Sequence, residues 1–190
     1  MRPILLYICW MKRTRGRSVG IVIDKLTRSI ENAHTHERFS TELVRLSLTD
    51  STMLANTNWL FDWLKQLSMD GREIYGLRTF ENPDILHGLV SLSIEADHVF
   101  IHLLENALFN RGRNRQYAGV GGNLFAFACL RSFELGFDGN VVFNAKTQLI
   151  EHYESTLEAK RFRGQRMFIE TDAARKLVDR YFKNEQENRL

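Results

Sequence analysis

The spacing of apolar residues in the first half of the chain predicts a series of strands. Apolar residues alternate with polar ones, or form short β-branched runs, over residues 20–26, 39–48, 72–80, 85–94 and 98–104. Because successive side chains of a strand point to opposite faces, this two-residue period indicates a sheet with a buried face. Short turns separate the last three segments, which predicts an antiparallel meander. The polar stretch 29–36 is typical of a solvated turn.

Helical spacing replaces this alternation in four segments. After Asp50, a favourable N-cap residue, apolar side chains recur at helical spacing up to Gly71, which predicts one amphipathic helix. Residues 124–135 are nearly all apolar at their start, which predicts a helix buried against a sheet and ended by Gly136. Further helices are predicted over residues 148–157 and 171–182, and short strands over 141–143 and 166–169.

Residues 99–143 combine strand, loop, helix and strand into one β-loop-α-β unit. Connections of this kind are right-handed and join parallel strands. Ligands of such units bind outside the carboxyl ends of the strands. We therefore expect a ligand at the loop between the first of these strands and the helix.

That loop, residues 116–123, has the sequence Gln-Tyr-Ala-Gly-Val-Gly-Gly-Asn. Its glycines let backbone N–H groups at a helix start approach a phosphate, since a Cβ would block the ligand or the required positive φ. A P-loop needs Gly-Lys-Ser/Thr, but Gly122 is followed by Asn123. A dinucleotide fingerprint needs a third glycine where the chain has Leu124. Both nucleotide motifs are therefore disfavoured.

The pattern that does fit the loop is Gln/Arg-x-x-Gly-x-Gly/Ala, which Gln116, Gly119 and Gly121 satisfy. This resembles the acetyl-CoA signature of the GNAT N-acetyltransferases. A second similarity lies downstream, where a helix after the second parallel strand carries Tyr153 followed by Glu154.

The chain also departs from the family pattern. Lys146 stands where an asparagine is usual, and Glu158 stands where a glycine is usual. The connection before the glycine loop is longer than usual, with residues 109–113 inserted. These departures concern the pantetheine contacts and the acceptor pocket more than the pyrophosphate site.

The resemblance implies a GNAT-type α/β fold, with a mixed, mostly antiparallel central sheet, one parallel strand pair at the CoA site and flanking helices. It implies an N-acetyltransferase that moves the acetyl group of acetyl-CoA to an amine acceptor, either a small molecule or a protein or peptide. The residues that the resemblance assigns to acetyl-CoA binding are Gln116, Gly119, Val120, Gly121, Gly122, Asn123 and Lys146.

Two residues are candidates for proton transfer. By its position in the family pattern, Tyr153 is expected to give a proton to the departing CoA thiolate. Glu105, at the end of the strand that leads to the CoA site, is the candidate base for the amine. Strand alternation predicts that Leu103 and Glu105 share one face and that His102 and Leu104 share the other. If Glu105 faces away from the cleft, His102 takes its place.

A different class of function stays open: a catalytically silent GNAT-like module that binds CoA or a protein partner. The apolar run at residues 4–10 and the altered positions Lys146 and Glu158 favour it. A third class, nucleic-acid binding, is suggested by Arg111, Arg113 and Arg115, but the 3′-phosphate of CoA explains them better.

Composition limits these hypotheses. A chain of 190 residues suits a single domain over 1–190, with residues 1–19 as an N-terminal extension. The formal charge of +3 allows an anionic ligand such as CoA but is too weak to argue for nucleic-acid binding, and we do not expect a nucleic-acid partner. Since the two cysteines lack a pairing or zinc spacing, we expect no metal and a reducing, cytoplasmic compartment. The expected partners are acetyl-CoA and an unidentified amine, no membrane is expected, and a homodimer is a possible assembly.

Overall fold

The computed structural model describes Val19 and residues 21–23, 29–55 and 59–182. The strands are β1 Ile30–Asn32, β2 Arg38–Phe39, β3 Thr41–Leu46, β4 Glu73–Thr79, β5 Gly88–Ile94, β6 Val99–Asn106, β7 Tyr117–Ala118, β8 Val141–Asn144, β9 Lys160–Arg163 and β10 Arg166–Ile169. The helices are α1 Ser51–Ala55, α2 Trp63–Leu67, α3 Val120–Glu134, α4 Ile150–Leu157 and α5 Thr171–Phe182. The apolar run at residues 4–10 lies outside the described residues.

The central sheet has the strand order β3-β4-β5-β6-β8-β10-β9. Neighbouring strands are antiparallel except β6 and β8, which are parallel. This confirms the predicted mixed, mostly antiparallel sheet with one parallel pair and flanking helices. Helix α3 connects the two parallel strands and packs against β5 and β6.

The parallel pair separates soon after it begins. Its register runs from Val99 opposite Val141 to Ile101 opposite Phe143. At this point β6 has a bulge, because His102 is an extra residue relative to the neighbouring strand β5. Beyond the bulge the two strands are no longer paired, and a groove opens between their carboxyl ends.

The bulge also changes which side chains share a face. His102 lies 4.5 Å from the Phe100 ring and bonds Ser93 Oγ at 2.7 Å. Leu104 instead packs with Ile101 in the larger of the two hydrophobic clusters. The expectation that His102 and Leu104 share a face is therefore wrong, since simple alternation fails across a bulge.

The predicted helix between Asp50 and Gly71 is also wrong. The described residues form the short helices α1 and α2, and residues 59–62 between them are not helical. Two backbone N–H groups of this stretch, those of Leu60 and Phe61, donate to the side chain of Glu105 on β6. A contact between residues far apart in sequence thus replaces the local helical hydrogen bonds.

Three further differences concern short strands. Residues 29–36, expected as a solvated turn, contain β1, which pairs with β2 and β7 and buries Ile30. Strand β9 was not expected, because all four of its residues are exposed and its sequence has no apolar alternation. The strand expected over residues 20–26 is not formed in its described part, residues 21–23, although the preceding Val19 makes an isolated parallel bridge with Ala145.

The sheet separates two apolar clusters. The larger lies under α3, α4 and α5, and the smaller lies under α1 and α2 and contains Trp63 and Leu103. Helix α3 can approach β5 closely because Gly88 has no side chain. A Cβ there would lie 2.7 Å from Val120 Cγ1 and 3.2 Å from the carbonyl oxygen of Glu105. The absence of a side chain at Gly88 therefore allows the position of the first turn of α3. The glycine loop runs directly into this turn.

Candidate active site

A cavity of about 430 Å³ opens at the carboxyl end of β6. Its walls come from the end of β6, the loop that follows it, the stretch before α2, the residue pair 21–22 and the start of the β8–α4 connection. The lining residues are Ile21, Val22, Leu60, Phe61, Leu104, Glu105, Asn106, Asn110, Arg111, Gly112, Arg113, Arg115 and Lys146.

Glu105 is the organising residue of this cavity. It is 3% exposed, and its carboxylate accepts hydrogen bonds from four groups. Leu60 N donates at 2.6 Å, Phe61 N at 3.3 Å and Trp63 Nε1 at 2.7 Å. The fourth donor is Nη2 of Arg111. Since a buried carboxylate is tolerated only when it is paired and hydrogen-bonded, these donors are what allow Glu105 to lie here.

Positive charge dominates the cavity wall. The lining contains four cationic side chains and one carboxylate, that of Glu105. The cations are Arg111, Arg113, Arg115 and Lys146. Arg111 is fixed by two partners, because its Nε also donates to the carbonyl oxygen of Asn106 at 2.6 Å. With Glu105 neutralised by Arg111, the other cations give the wall a net positive charge that suits an anionic ligand.

His87 anchors the loop that carries these arginines. Asn110 Nδ2 lies 3.2 Å from His87 Nδ1 and donates to the His87 carbonyl oxygen at 3.2 Å. The imidazole also meets the rings of Phe109 and Tyr117 edge-on, with centroids 5.5 and 4.8 Å away. Burial lowers the pKa of His87 to about 4, so that the ring stays neutral and Nδ1 can accept a hydrogen bond.

The glycine loop turns directly into helix α3. Gly119 has φ +92° immediately before the helix, a conformation that favours glycine, and Gly121 and Gly122 lie in the first turn with Val120. By position, the first amides of the helix have no carbonyl partner within the helix. These are the groups that the resemblance assigns to the CoA pyrophosphate.

Two polar residues of the loop have structural contacts. The Asn123 side chain donates to the Gly119 carbonyl oxygen at 2.9 Å, and its Oδ1 accepts from Thr41 at 3.3 Å. The backbone of Gln116 donates to the carbonyl oxygen of Phe109 and accepts from the amide of Ala33, both at 2.8 Å. Asn123 thus ties α3 to β3, and Gln116 holds the loop in place through its backbone.

Tyr153 lies behind the cavity rather than in its wall. Its ring is buried against Phe125 and Phe143, with centroids 5.6 and 5.4 Å away. Burial raises the pKa of Tyr153, so that its hydroxyl stays protonated. The hydroxyl donates to the carbonyl oxygen of Ile21 at 2.5 Å.

The structure therefore divides the predicted site residues into two groups. Glu105 and Lys146 line the cavity, whereas the residues of the glycine loop and Tyr153 do not. Residues 21–23 separate the two groups, because a Cβ at Gly121 would lie 2.8 Å from Ile21 Cγ2. His102 does not line the cavity either.

Sequence reasoning missed several residues of the site. It did not find the donors at Leu60, Phe61 and Trp63, because their acidic partner is more than 40 residues away in sequence. It also missed Asn110, because its partner His87 is 23 residues away in sequence. Nothing local to residues 21–23 indicated that they contact the glycine loop.

Solved structures share this architecture. The structure of AtaTR bound with AcCoA matches with a TM-score of 0.50 at 16% identity, over 72% of this chain and 98% of the other. The fold is of the GNAT type. The sequence itself matches no protein-family model and no curated protein sequence.

Two further solved structures align over similar lengths. A spermidine N-acetyltransferase SpeG chimera from Vibrio cholerae and hSSAT has a TM-score of 0.48 at 16% identity, over 70% of this chain and 97% of the other. A KacTA–DNA complex has a TM-score of 0.48 at 13% identity, over 73% of this chain and 98% of the other.

One departure from the GNAT pattern keeps its backbone geometry. Glu158, which replaces a glycine of that pattern, ends α4 with φ +52° in the left-handed conformation. Its carboxylate pairs with Lys176 on α5, at 2.6 Å. The turn that a glycine usually makes is thus present with a charged residue.

The described residues contain no helix that is long and apolar enough to cross a bilayer. Within the same ranges, no group of three or more His, Cys, Asp or Glu residues is arranged to hold a metal ion.

We predict that Glu105→Gln destabilises the protein by about 3–5 kcal/mol, the usual cost of breaking a buried ion pair from one side. The amide would present N–H groups to donors and leave Arg111 without its carboxylate. Urea denaturation followed by tryptophan fluorescence measures the loss. The control is Glu42→Gln, since Glu42 pairs with Arg78 at 2.7 Å in a partly exposed position and its loss costs about 1 kcal/mol or less. Equal losses in the two variants would contradict the anchoring role of Glu105.

We predict that part of the acid sensitivity of the fold comes from His87. Its pKa falls from 6.5 to about 4 on folding, so the unfolded chain binds a proton that the folded chain excludes. Stability from this group is complete above pH 6.5 and falls by roughly 3 kcal/mol as the pH drops to 4. The free energy of unfolding, measured by urea denaturation at several pH values between about 4 and 7, should depend less steeply on pH for His87→Gln than for the wild type. The exposed His34→Gln is the control, and an unchanged slope in His87→Gln would refute the assignment.

Proposed function

We propose that the protein is an N-acetyltransferase that transfers the acetyl group of acetyl-CoA to an amine. The observation that carries the proposal is the glycine loop at the start of α3, at the carboxyl end of a parallel strand pair, in a GNAT-type fold. The AtaTR structure, with the same fold, is described as bound with AcCoA. A cluster of cations lines the cavity on the other side of residues 21–23 from this loop, and cations are what a ligand with several phosphates requires.

The binding groups fit the chemistry of the donor. The amides of Val120, Gly121 and Gly122 start a helix, where backbone N–H groups and the helix dipole favour a pyrophosphate. The cations around the cavity, from Arg111 to Lys146, suit the remaining phosphate. Access to Gly121 requires that Ile21 moves, because the two are in contact.

The proposed chemistry is a direct transfer. Acetyl-CoA supplies an activated thioester, and a neutral amine attacks its carbonyl carbon. The Tyr153 hydroxyl, kept protonated by burial, would give its proton to the departing sulfur. Glu105 as the base stays a prediction, and an amine would have to displace one of the four donors that its oxygens already accept.

Binding of acetyl-CoA to the purified protein is the first test. We expect titration calorimetry to show binding, with roughly 10-fold weaker affinity for the 3′-dephospho form because one charge-assisted contact is lost. The double variant Arg113→Gln/Arg115→Gln should lose this preference. The control Arg163→Gln removes an exposed arginine of β9 and should keep it. Failure to bind either form would overturn the proposed function.

Turnover tests the role of Tyr153. In a CoA-release assay with a panel of amines, Tyr153→Phe should lower kcat by roughly 100-fold or more, as expected for a positioned acid, without weakening acetyl-CoA binding. Tyr181→Phe, another buried tyrosine, on α5, is the matched control. Wild-type turnover in Tyr153→Phe would assign Tyr153 to the core alone.

A second candidate is a catalytically silent GNAT-type module. The contact of Ile21 with Gly121 and the hydrogen bond from Tyr153 to Ile21 favour it, because both occupy groups that the reaction needs. Such a module, whether or not it binds acetyl-CoA, releases no CoA with any amine in the assay above, whereas the acetyltransferase does.

A further inference from the structure

Val19 and residues 21–23, here named the N-terminal plug, lie in the groove where β6 and β8 separate. Val19 N donates to the carbonyl oxygen of Asn144 at 2.5 Å, and Lys146 N donates to the carbonyl oxygen of Val19 at 2.9 Å. Val19 and Ala145 form a parallel bridge. The plug therefore continues the pairing that β8 loses when it diverges from β6 beyond Phe143.

The side chains of the plug complete the core at this position. Val19 is fully buried, Ile23 is 5% exposed, and both belong to the larger apolar cluster. Ile21 packs against the same cluster. Val22 points outward and is 56% exposed. The alternation of buried and exposed residues is that of a strand lying in a groove with one open side.

The plug contacts two elements of the proposed acetyl-CoA site, the first turn of α3 and helix α4. Ile21 lies against Gly121 of the glycine loop, where a Cβ would be 2.8 Å from its Cγ2. The carbonyl oxygen of Ile21 accepts the hydrogen bond from Tyr153. The amide of Ile23 donates to His152 Nε2, next to Tyr153, at 2.6 Å. Ile21 thus makes contact through its side chain and its backbone, and Ile23 through its backbone.

We propose that the N-terminal plug is a regulatory element of this site, which competes in cis with acetyl-CoA for the groove between β6 and β8. The proposal rests on the proposed function. With the plug in place, Ile21 covers Gly121 and holds the Tyr153 hydroxyl. Acetyl-CoA binds after the plug has left, so its apparent affinity equals the intrinsic affinity reduced by the fraction of molecules with an open groove.

Weakening the plug should therefore tighten acetyl-CoA binding. The test variant is the full-length double substitution Ile21→Ala/Ile23→Ala, which shortens the two side chains that face Gly121 and leaves the glycine loop unchanged. We expect its dissociation constant for acetyl-CoA, measured by calorimetry, to fall by roughly 10-fold or more as the open fraction rises. Ile94→Ala, at an isoleucine that is 44% exposed at the end of β5, is the matched control and should bind as the wild type does.

Hydrogen exchange in the wild-type protein gives a second readout that needs no variant. The amides of Ile23 and Lys146 are bonded through the plug, to His152 and Val19 respectively. Saturating acetyl-CoA should speed exchange at Ile23, because its acceptor is lost when the plug leaves. The amide of Val90, in the middle of the sheet, should keep its protection and serves as the internal control.

The outcomes separate this proposal from the proposed function. Tighter binding by the double variant, together with faster exchange at Ile23, supports competition. Equal affinity in both proteins with unchanged exchange overturns the plug and leaves the acetyl-CoA site standing. If neither protein binds acetyl-CoA, the proposed function is overturned, and the proposal of competition falls with it.

Discussion

The buried carboxylate of Glu105 is the interaction on which the site depends. A carboxylate in this position is tolerated only if its oxygens are satisfied, and its four donors come from two separate parts of the chain. The bonds from residues 60–63 hold the segment before α2 against the end of β6. The bond from Arg111 holds the arginine-rich loop at the same place. Each donor is thereby fixed relative to the sheet. Both segments are bonded to one anion, and both contribute to the lining of the cavity.

The same interaction explains why sequence patterns predicted the sheet but not the layer that covers it. The strands β4 to β6 follow a two-residue period, and the first turn of α3 follows from its glycines, because both are local properties. The stretch from Asp50 to Gly71 has an equally clear helical period, yet the hydrogen bonds from Leu60 and Phe61 to Glu105 interrupt it. Strand β9 had no signal at all, since its exposed residues need no apolar partner.

The candidate site was predictable in its parts and not in its arrangement. The glycine loop and the helix that bears Tyr153 were expected from spacing. That Ile21 lies between them was not, since Ile21 and Tyr153 are 132 residues apart in sequence. The physical reason is the separation of β6 and β8. Once the strands part, the exposed backbone of β8 needs hydrogen-bond partners, which a ligand or another segment of the chain can supply.

The proton of the Tyr153 hydroxyl makes the two states of the groove mutually exclusive. A tyrosine hydroxyl has one hydrogen to donate, and in this structure it goes to the carbonyl oxygen of Ile21. The same hydrogen cannot at that moment be given to a departing thiolate. Displacing the plug therefore does more than clear space over Gly121, because it also releases the hydroxyl that we propose as the proton donor. Under the proposed function a plugged molecule would be inactive on two counts, and partial opening that exposes the glycine loop but keeps the bond to Ile21 would permit binding without turnover.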